Sequence, residues 1–482
     1  MLLKEYLMYK ELLDSRILKN FSVLTGTNIL VQFISILSSI RLARLLQPEG
    51  YGYFNLILVL SGLFLIIASY GLKQVIIRYV ARNKSESKYV FHISNQIRLV
   101  TTLISIICLF VYNFFLNEPS LPPLFLILLF INIFAQSLWE AVECVAFGNE
   151  HMEPSGYLNL VFTSIWVLSV YLIPKDSFNV EFLLIAYIFI QSLRSLSYYF
   201  WLKEKIFAKN KPHQTNLDIG HKYFIKQSNY YFILAVFTAI QTQVPIVLLS
   251  HNSSLDQVGV FNLGNRILGP LQMVILTALT ALYPSFSRLA LTDKTLFTKR
   301  VKILLNILVI IGIWGCLCFT LFSKEVVLFL YGEEYLGSVK VILIQCWFTL
   351  LFGIFCTIGT VLNSFDKQRL LAILSMIYGI LCIPVFFIGS KYGAIGLAWA
   401  FVIAACINMT YHWVIFKKLL TSDISLIYTL KLFSILILAS LFSLFIPFDF
   451  NILIKLLIVI SITFATIFYL KSRELPKLLL KE

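Results

Sequence analysis

Apolar stretches of membrane-spanning length follow one another along almost the whole chain, separated by short polar breaks. Crossing a bilayer as helix takes roughly 20 apolar residues, and by that measure about fourteen segments qualify. They are 17–42, 53–71, 97–116, 124–147, 158–173, 182–202, 223–250, 259–286, 303–322, 341–363, 370–389, 396–416, 426–446 and 452–470. Backbone polar groups inside lipid must be bonded within their own segment, so such a chain is helical. With 59% hydrophobic and 13% charged residues it holds far too much apolar surface for water. The expected fold is an all-α polytopic membrane protein.

Two stretches, Gly52-Tyr53-Phe54-Asn55-Leu56 and Gly259-Val260-Phe261-Asn262-Leu263, nearly repeat each other. Each opens an apolar segment just after a break. Duplication of this kind points to a transporter of two bundles related by a pseudo-two-fold repeat. The expected organisation is a six-helix bundle over 1–202, a basic cytoplasmic linker over 203–222 and a second six-helix bundle over 223–416. A terminal helix pair and cytoplasmic tail follow over 417–482.

The formal charge of +15 is dealt out in clusters between apolar segments, which excludes a nucleic-acid surface and carries topology instead. About 29 of the 39 Lys and Arg fall on one side if the N-terminus is cytoplasmic, and about six on the other. Both termini are then cytoplasmic. The heaviest inner clusters lie at 73–98, 203–226 and 288–302. Lys4, Lys10, Arg16 and Lys19 precede a run too long for a signal-peptide core and without its cleavage pattern, so a retained first helix is expected. The eight cysteines lie inside apolar segments and read as small hydrophobes, with no disulfide, metal site or cofactor implied.

The stretch Ala43-Arg44-Leu45-Leu46-Gln47-Pro48-Glu49-Gly50-Tyr51-Gly52 resembles the end of the first helix and the following loop of polysaccharide biosynthesis flippases. These are the O-antigen and capsule repeat-unit flippases of the multidrug/oligosaccharidyl-lipid/polysaccharide exporter superfamily. Tyr283-Pro284-Ser285-Phe286-Ser287-Arg288, Tyr331-Gly332-Glu333-Glu334-Tyr335 and Tyr392-Gly393-Ala394-Ile395-Gly396 match in the same order, across nearly the whole chain. Gln47 stands where the resemblance implies a glycine. The resemblance implies a cargo of undecaprenyl-diphosphate-linked oligosaccharide, moved from the inner to the outer leaflet of the bacterial plasma membrane. It also implies membrane lipid as a partner, polysaccharide polymerase machinery as a further one, and a groove for the lipid tail in the terminal helix pair.

Ionisable groups within spans are costly and mark pathways or pairs. Arg41 and Arg44, at i,i+3, share a face of the first helix, where a guanidinium fork matches phosphate oxygens. Both also lie close enough to the outer surface to snorkel. Arg266 is about 10 Å deep at 1.5 Å per residue, too deep to snorkel with ease, and is expected to line a hydrated cavity. Arg194 is about as deep, and either lines the cavity or pairs with Glu140. Gln136, Glu140 and Glu143 recur on one stripe of the fourth helix. Glu140 is the candidate for coupling to a proton or sodium gradient, a fixed ion pair being the alternative. Gln241, Gln243 and Pro245 predict a bend in the seventh helix, a hinge or a static kink. Asn28 and Gln32 form an i,i+4 pair that lines the cavity or bonds a neighbouring helix. Lys431 and Lys455 are expected to snorkel.

The leading expectation is therefore a flippase working by alternating access, with no covalent chemistry and no nucleic acid. A multidrug or organic-cation exporter of the same fold is the alternative, and it calls for cavity carboxylates in excess of arginines. A membrane enzyme needs an acid, base or metal cluster in a sizeable outer loop, and the outer acidic residues are scattered over short loops.

Overall fold

A computed structural model describes residues 16–115, 121–174, 178–208, 220–365 and 367–419, together with Lys455, Ile460 and Ser461. The chain divides into two compact units, Met1–His251 and Asn252–Glu482. Every regular element among the described residues is helical. Among the described residues, nine helices are long and apolar enough to cross a membrane, or up to ten if a bent pair is one span. The expected segments 426–446 and 452–470 lie outside the described residues, apart from Lys455, Ile460 and Ser461.

The first unit opens with α1 (Arg16–Ser69), which contains the first two expected segments as one element broken at Gln47. About 80 Å of helix at 1.5 Å per residue is more than twice a bilayer core, so the break separates two crossings. Gln47 takes φ 63° and ψ 171°, a region essentially reserved for glycine, and Pro48 restarts the helix where its missing N–H costs least. Tyr51 is buried beyond the break and its hydroxyl meets Ser39 Oγ at 3.0 Å, tying the restart to the helix before it.

Gly71, at φ 64°, turns the chain into α2 (Leu72–Arg82). Its backbone packs so closely on Phe232 that a β-carbon would lie 2.5 Å from the Phe232 amide nitrogen. Leu72, Val75, Ile76, Tyr79 and Val80 fall on one helical face and are all buried, while Arg78 and Arg82 are exposed. The sequence reading placed this stretch in a basic loop; the charges masked an amphipathic helix.

Next come α3 (Ser87–Phe115), α4 (Pro123–Gly148), α5 (Glu153–Leu172) and α6 (Val180–Leu202). The expected seventh span is two helices, α7 (His221–Thr242) and α8 (Val244–Asn252), bent by 41°. Pro245 stands in the first turn of α8, so the bend expected from it is present. Both helices follow the segment read as a linker and group with the first unit. A core of Leu72, Ile76, Val142, Val145, Tyr198 and Phe224 joins α2, α4, α6 and α7.

The second unit contains α9 (Leu255–Thr292), α10 (Lys294–Leu330), α11 (Gly337–Ser364), α12 (Gln368–Ser390) and α13 (Gly393–Leu419). Asp293 caps α10 by accepting from the amides of Thr295 and Leu296. Those bonds, with one from the Thr295 hydroxyl, hold its carboxyl below the usual range. At the turn before α11, Gly332 takes φ 101° and Tyr331 and Tyr335 are buried with their rings 6.1 Å apart. Gly393, at φ 71°, starts α13. A β-carbon on Gly396 would lie 2.4 Å from the Gly389 carbonyl, so small residues let α12 and α13 touch backbone to backbone. Three of the four sequence motifs are thus helix-joining devices.

The two five-residue repeats adopt the same local structure. Phe54 and Leu56 are buried, as are Phe261 and Leu263. Asn55 Nδ2 donates to Tyr51 O at 2.7 Å, and Asn262 Nδ2 to Val258 O at 3.0 Å.

Candidate substrate and ion site

The polar stripe expected on α4 is longer than the sequence reading made it, because Asn132 extends it by one turn. Asn132 donates through Nδ2 to Ser61 Oγ of α1 at 2.9 Å and accepts through Oδ1 from Gln136 Nε2 at 3.1 Å. Two turns on, Glu140 Oε2 accepts from Ser69 Oγ at 2.5 Å and from Arg98 at 3.1 Å. Glu143 accepts from Lys73 Nζ at 2.6 Å on one oxygen and from Ser155 Oγ at 2.7 Å on the other. The two carboxylates of α4 therefore each have a cation of their own.

Arg98 is the residue the sequence reading missed. It was counted in a basic inner cluster because the long apolar run begins at 97, yet α3 starts ten residues earlier, at Ser87. Its side chain is 3% exposed and also reaches Ser137 O and Cys144 Sγ. Thr101 and Ser105, on the same helix, donate to Ala68 O and Phe64 O of α1, each at 2.7 Å. A cavity of about 160 Å³ opens beside Arg98, bordered by Asn95, Thr102, Phe134 and Ser137.

The pairing of Arg194 with Glu140, one of the two alternatives, is not what forms. Arg194 donates to Asn159 Oδ1 of α5 at 2.8 Å and lies 4.3 Å from the centre of the Trp139 ring. Both partners are neutral. Arg41 is half-buried with its guanidinium 5.7 Å over the Tyr171 ring, and its Nε is buried without a hydrogen-bond partner among the described residues. Arg44, one turn on, is exposed. Asn28 and Gln32 lie half-buried on α1 beside Thr27, which is pressed against Gly156 of α5.

Gln241 sits in the last turn of α7, and Gln243 is the residue at the break itself. The Gln243 amide lies where a β-carbon on Gly62 would be, under 3 Å away, and its Oε1 is buried without a partner among the described residues. Pro245 has no amide to offer the Gln241 carbonyl, which is why the helix bends here.

Arg266 is half-buried on α9 of the second unit. Nearby, Gln345 of α11 donates to Asn265 Oδ1 at 3.2 Å, and Gln272 donates to Thr349 Oγ1 at 3.1 Å. Both of these bonds join α9 to α11 through neutral amides. Lys455, expected to snorkel, is instead fully buried and bonds Glu325 of α10 at 2.5 Å.

An all-helical, multi-pass membrane protein with polar and charged groups inside its spans has the architecture of a transporter. The family model described as polysaccharide biosynthesis protein matches residues 17–290, more than half of the chain, and the chain belongs to that family. A curated relative, capsular polysaccharide biosynthesis protein CapF of Staphylococcus aureus, is 23% identical over 422 residues, covering 83% of this chain and 99% of the relative. Among solved structures, the lipid II flippase MurJ in an inward closed conformation superposes with a TM-score of 0.70. It is 17% identical, and the match covers 93% of this chain and 99% of that one. An inward-facing multidrug resistance MATE family transporter of the MOP superfamily gives a TM-score of 0.58 at 13% identity, covering 85% of this chain and all of its own. At these identities the likeness to the solved structures is one of fold.

Proposed function

We propose that this protein is a flippase that moves an undecaprenyl-diphosphate-linked oligosaccharide repeat unit from the inner to the outer leaflet of the bacterial plasma membrane by alternating access. The observation that carries the reading is a charge imbalance inside the first unit. Glu140 and Glu143 are ion-paired with Arg98 and Lys73, whereas the direct contacts of Arg41 and Arg194 are neutral groups, Tyr171 for the one and Asn159 and Trp139 for the other, Glu143 acting on Arg194 only from beyond ion-pair distance. Guanidinium groups left without carboxylates in a low-dielectric setting favour an anion, and their planar fork suits diphosphate oxygens. Within the first unit, Arg44, Asn28, Gln32, Gln241 and Gln243 complete the proposed headgroup-binding set, the amides serving the sugar hydroxyls, and Arg266 is the second unit's own anion-binding candidate.

Family membership supports a polysaccharide precursor as the cargo, and the fold shared with a lipid II flippase supports a lipid-linked one. On this reading the chain makes about fourteen crossings, with bundles over 1–202 and 223–416, a basic linker over 203–222 and a terminal pair over 417–482 that holds the lipid tail. Both termini face the cytoplasm, no bond is made or broken, and polymerase machinery takes up the product. An organic-cation exporter calls for cavity carboxylates in excess of arginines, whereas both carboxylates of α4 are already paired with cations.

The test is deletion in the native host, followed by analysis of lipid-linked intermediates. Repeat units accumulating on the inner leaflet support the reading. Normal surface glycan removes it.

A further inference from the structure

Glu140 and Glu143 lie within one turn of each other on α4, yet they are held differently. Glu143 has both oxygens engaged, one by Lys73 and one by Ser155, and its side chain is 13% exposed. Glu140 takes both of its bonds, from Ser69 and Arg98, on Oε2. Its Oε1 has no partner among the described residues, and the side chain is 25% exposed. One oxygen of this ion pair is thus open to the surroundings while the other is locked.

The groups around it decide which ion that oxygen can take. α1 offers the Ser69 hydroxyl, α2 the Lys73 ammonium and α3 the Arg98 guanidinium; α4 itself brings Cys144 and Glu143. From α6, Arg194 and Tyr198 act on Glu143. The nearest neighbours of Glu140 are hydrogen-bond donors and cations. A metal cation at Oε1 would face two like charges and find too few oxygen ligands to replace its water. A proton needs one lone pair.

We infer that Glu140 is the protonation site coupling a proton gradient to the transport cycle, and that Arg98 is the group it releases. A proton from water adds to Oε1, and the carboxylate becomes a neutral acid. Lys73, Arg98, Glu140 and Glu143 together change from neutral to one positive charge in excess. The ion pair with Arg98 becomes a bond from a cation to a neutral acid, and the Coulomb attraction between the two groups is lost. The cavity beside Arg98 has room for a few waters, at about 30 Å³ each, among Asn95, Thr102 and Ser137. The released guanidinium is solvated there. α3 then loses its ion pair with the middle of α4, while Thr101 and Ser105 keep their hydroxyl bonds to α1. Proton uptake both loosens α3 from α4 and raises the affinity of the unit for an anion.

The inference rests on the transporter reading above, and its test uses no glycan, so the two fail separately. Full-length protein in nanodiscs is acidified and followed by infrared difference spectroscopy and by hydrogen exchange corrected for intrinsic rates. Wild type is expected to gain a carboxylic-acid carbonyl band that is lost in Glu140→Gln and shifted in Glu140→Asp. Replacing sodium with choline leaves it in place. Exchange in α3 speeds up on acidification in wild type and is fast at every pH in Glu140→Gln. A band unchanged by Glu140→Gln, a sodium-dependent band, or pH-independent exchange in α3 overturns the proposal. If Glu140→Gln does not fold, the band shift in Glu140→Asp carries the test alone.

Discussion

Asn55 and Asn262 stand at the same place in two copies of one short motif and make the same bond, each to the carbonyl four residues earlier. The bond is local, so it shapes the start of a span without reaching any neighbouring helix. Replacing either with Ala removes about 1 kcal/mol of hydrogen bonding and regains about 0.6 kcal/mol of helix propensity. The two variants are therefore expected to lower thermal stability slightly and equally. Differential scanning of the purified protein checks this, and a large loss at one site alone would show a role its twin lacks.

Arg98 and Glu140 differ from that pair in joining two helices. Truncating one partner of a buried pair leaves a bare charge and costs about 3 to 5 kcal/mol, whereas replacing both by apolar groups is often neutral. Arg98→Met is expected to destabilise strongly, and the Arg98→Met/Glu140→Leu double variant to recover most of the loss while abolishing proton-dependent behaviour. Chemical denaturation of the four proteins in one cycle measures the coupling. Additive losses would mean that the pair contributes nothing as a pair.

Gln47 holds a backbone conformation costing about 1 to 3 kcal/mol for a residue with a β-carbon. Its side chain is exposed. Gln47→Gly is expected to stabilise the protein by about 1 kcal/mol after the entropy of a free glycine is subtracted. A rise in thermal midpoint at unchanged expression is the readout. A fall would mean that the Gln47 amide carries a contact worth more than the strain.

The parts of this fold that were legible are those written in backbone chemistry or in long apolar runs. Pro245 announces the bend because a missing amide is a local fact, and the spans among the described residues announce themselves because lipid demands about 20 apolar residues. Partners across helices were not legible. The spacing of Gln136, Glu140 and Glu143 gave their common face, but not that Ser69, Lys73 and Arg98 would meet it. Lys455 near a span end reads as a snorkelling residue until Glu325 is found beside it. In α2, the apolar spacing of Leu72, Val75, Ile76, Tyr79 and Val80 was present in the sequence and outweighed by its charges.

Asp293 is exposed at the junction of α9 and α10, and its folded-state carboxyl is depressed by the bonds it accepts from Thr295 and Leu296. A depressed carboxyl contributes stability that is complete above the ordinary Asp range and lost as pH falls through the folded value. The first turn of α10 is therefore expected to fray on acidification below that range. Asp293→Asn keeps a capping side chain and should remove the pH dependence, which hydrogen exchange at the start of α10 resolves. Fraying that persists unchanged in Asp293→Asn would assign it to another group.

Arg41 and Arg194 separate the anionic cargo from the cationic one. If each donates charge-assisted bonds to a diphosphate, worth about 1.5 to 3 kcal/mol, alanine at either position should slow flipping by roughly 10- to 100-fold. Lysine keeps the charge but not the fork, so Arg41→Lys should recover only part of the rate. Lys205→Ala is the control, since that side chain is largely exposed beside Glu204. The measurement is the ratio of outward-facing to total lipid-linked repeat units in cells complemented at matched expression, with efflux of a fluorescent organic cation followed in parallel. Unchanged ratios in Arg41→Ala and Arg194→Ala, with cation efflux abolished, would transfer the protein to the exporter reading, because guanidiniums that bind the cargo cannot be removed without cost.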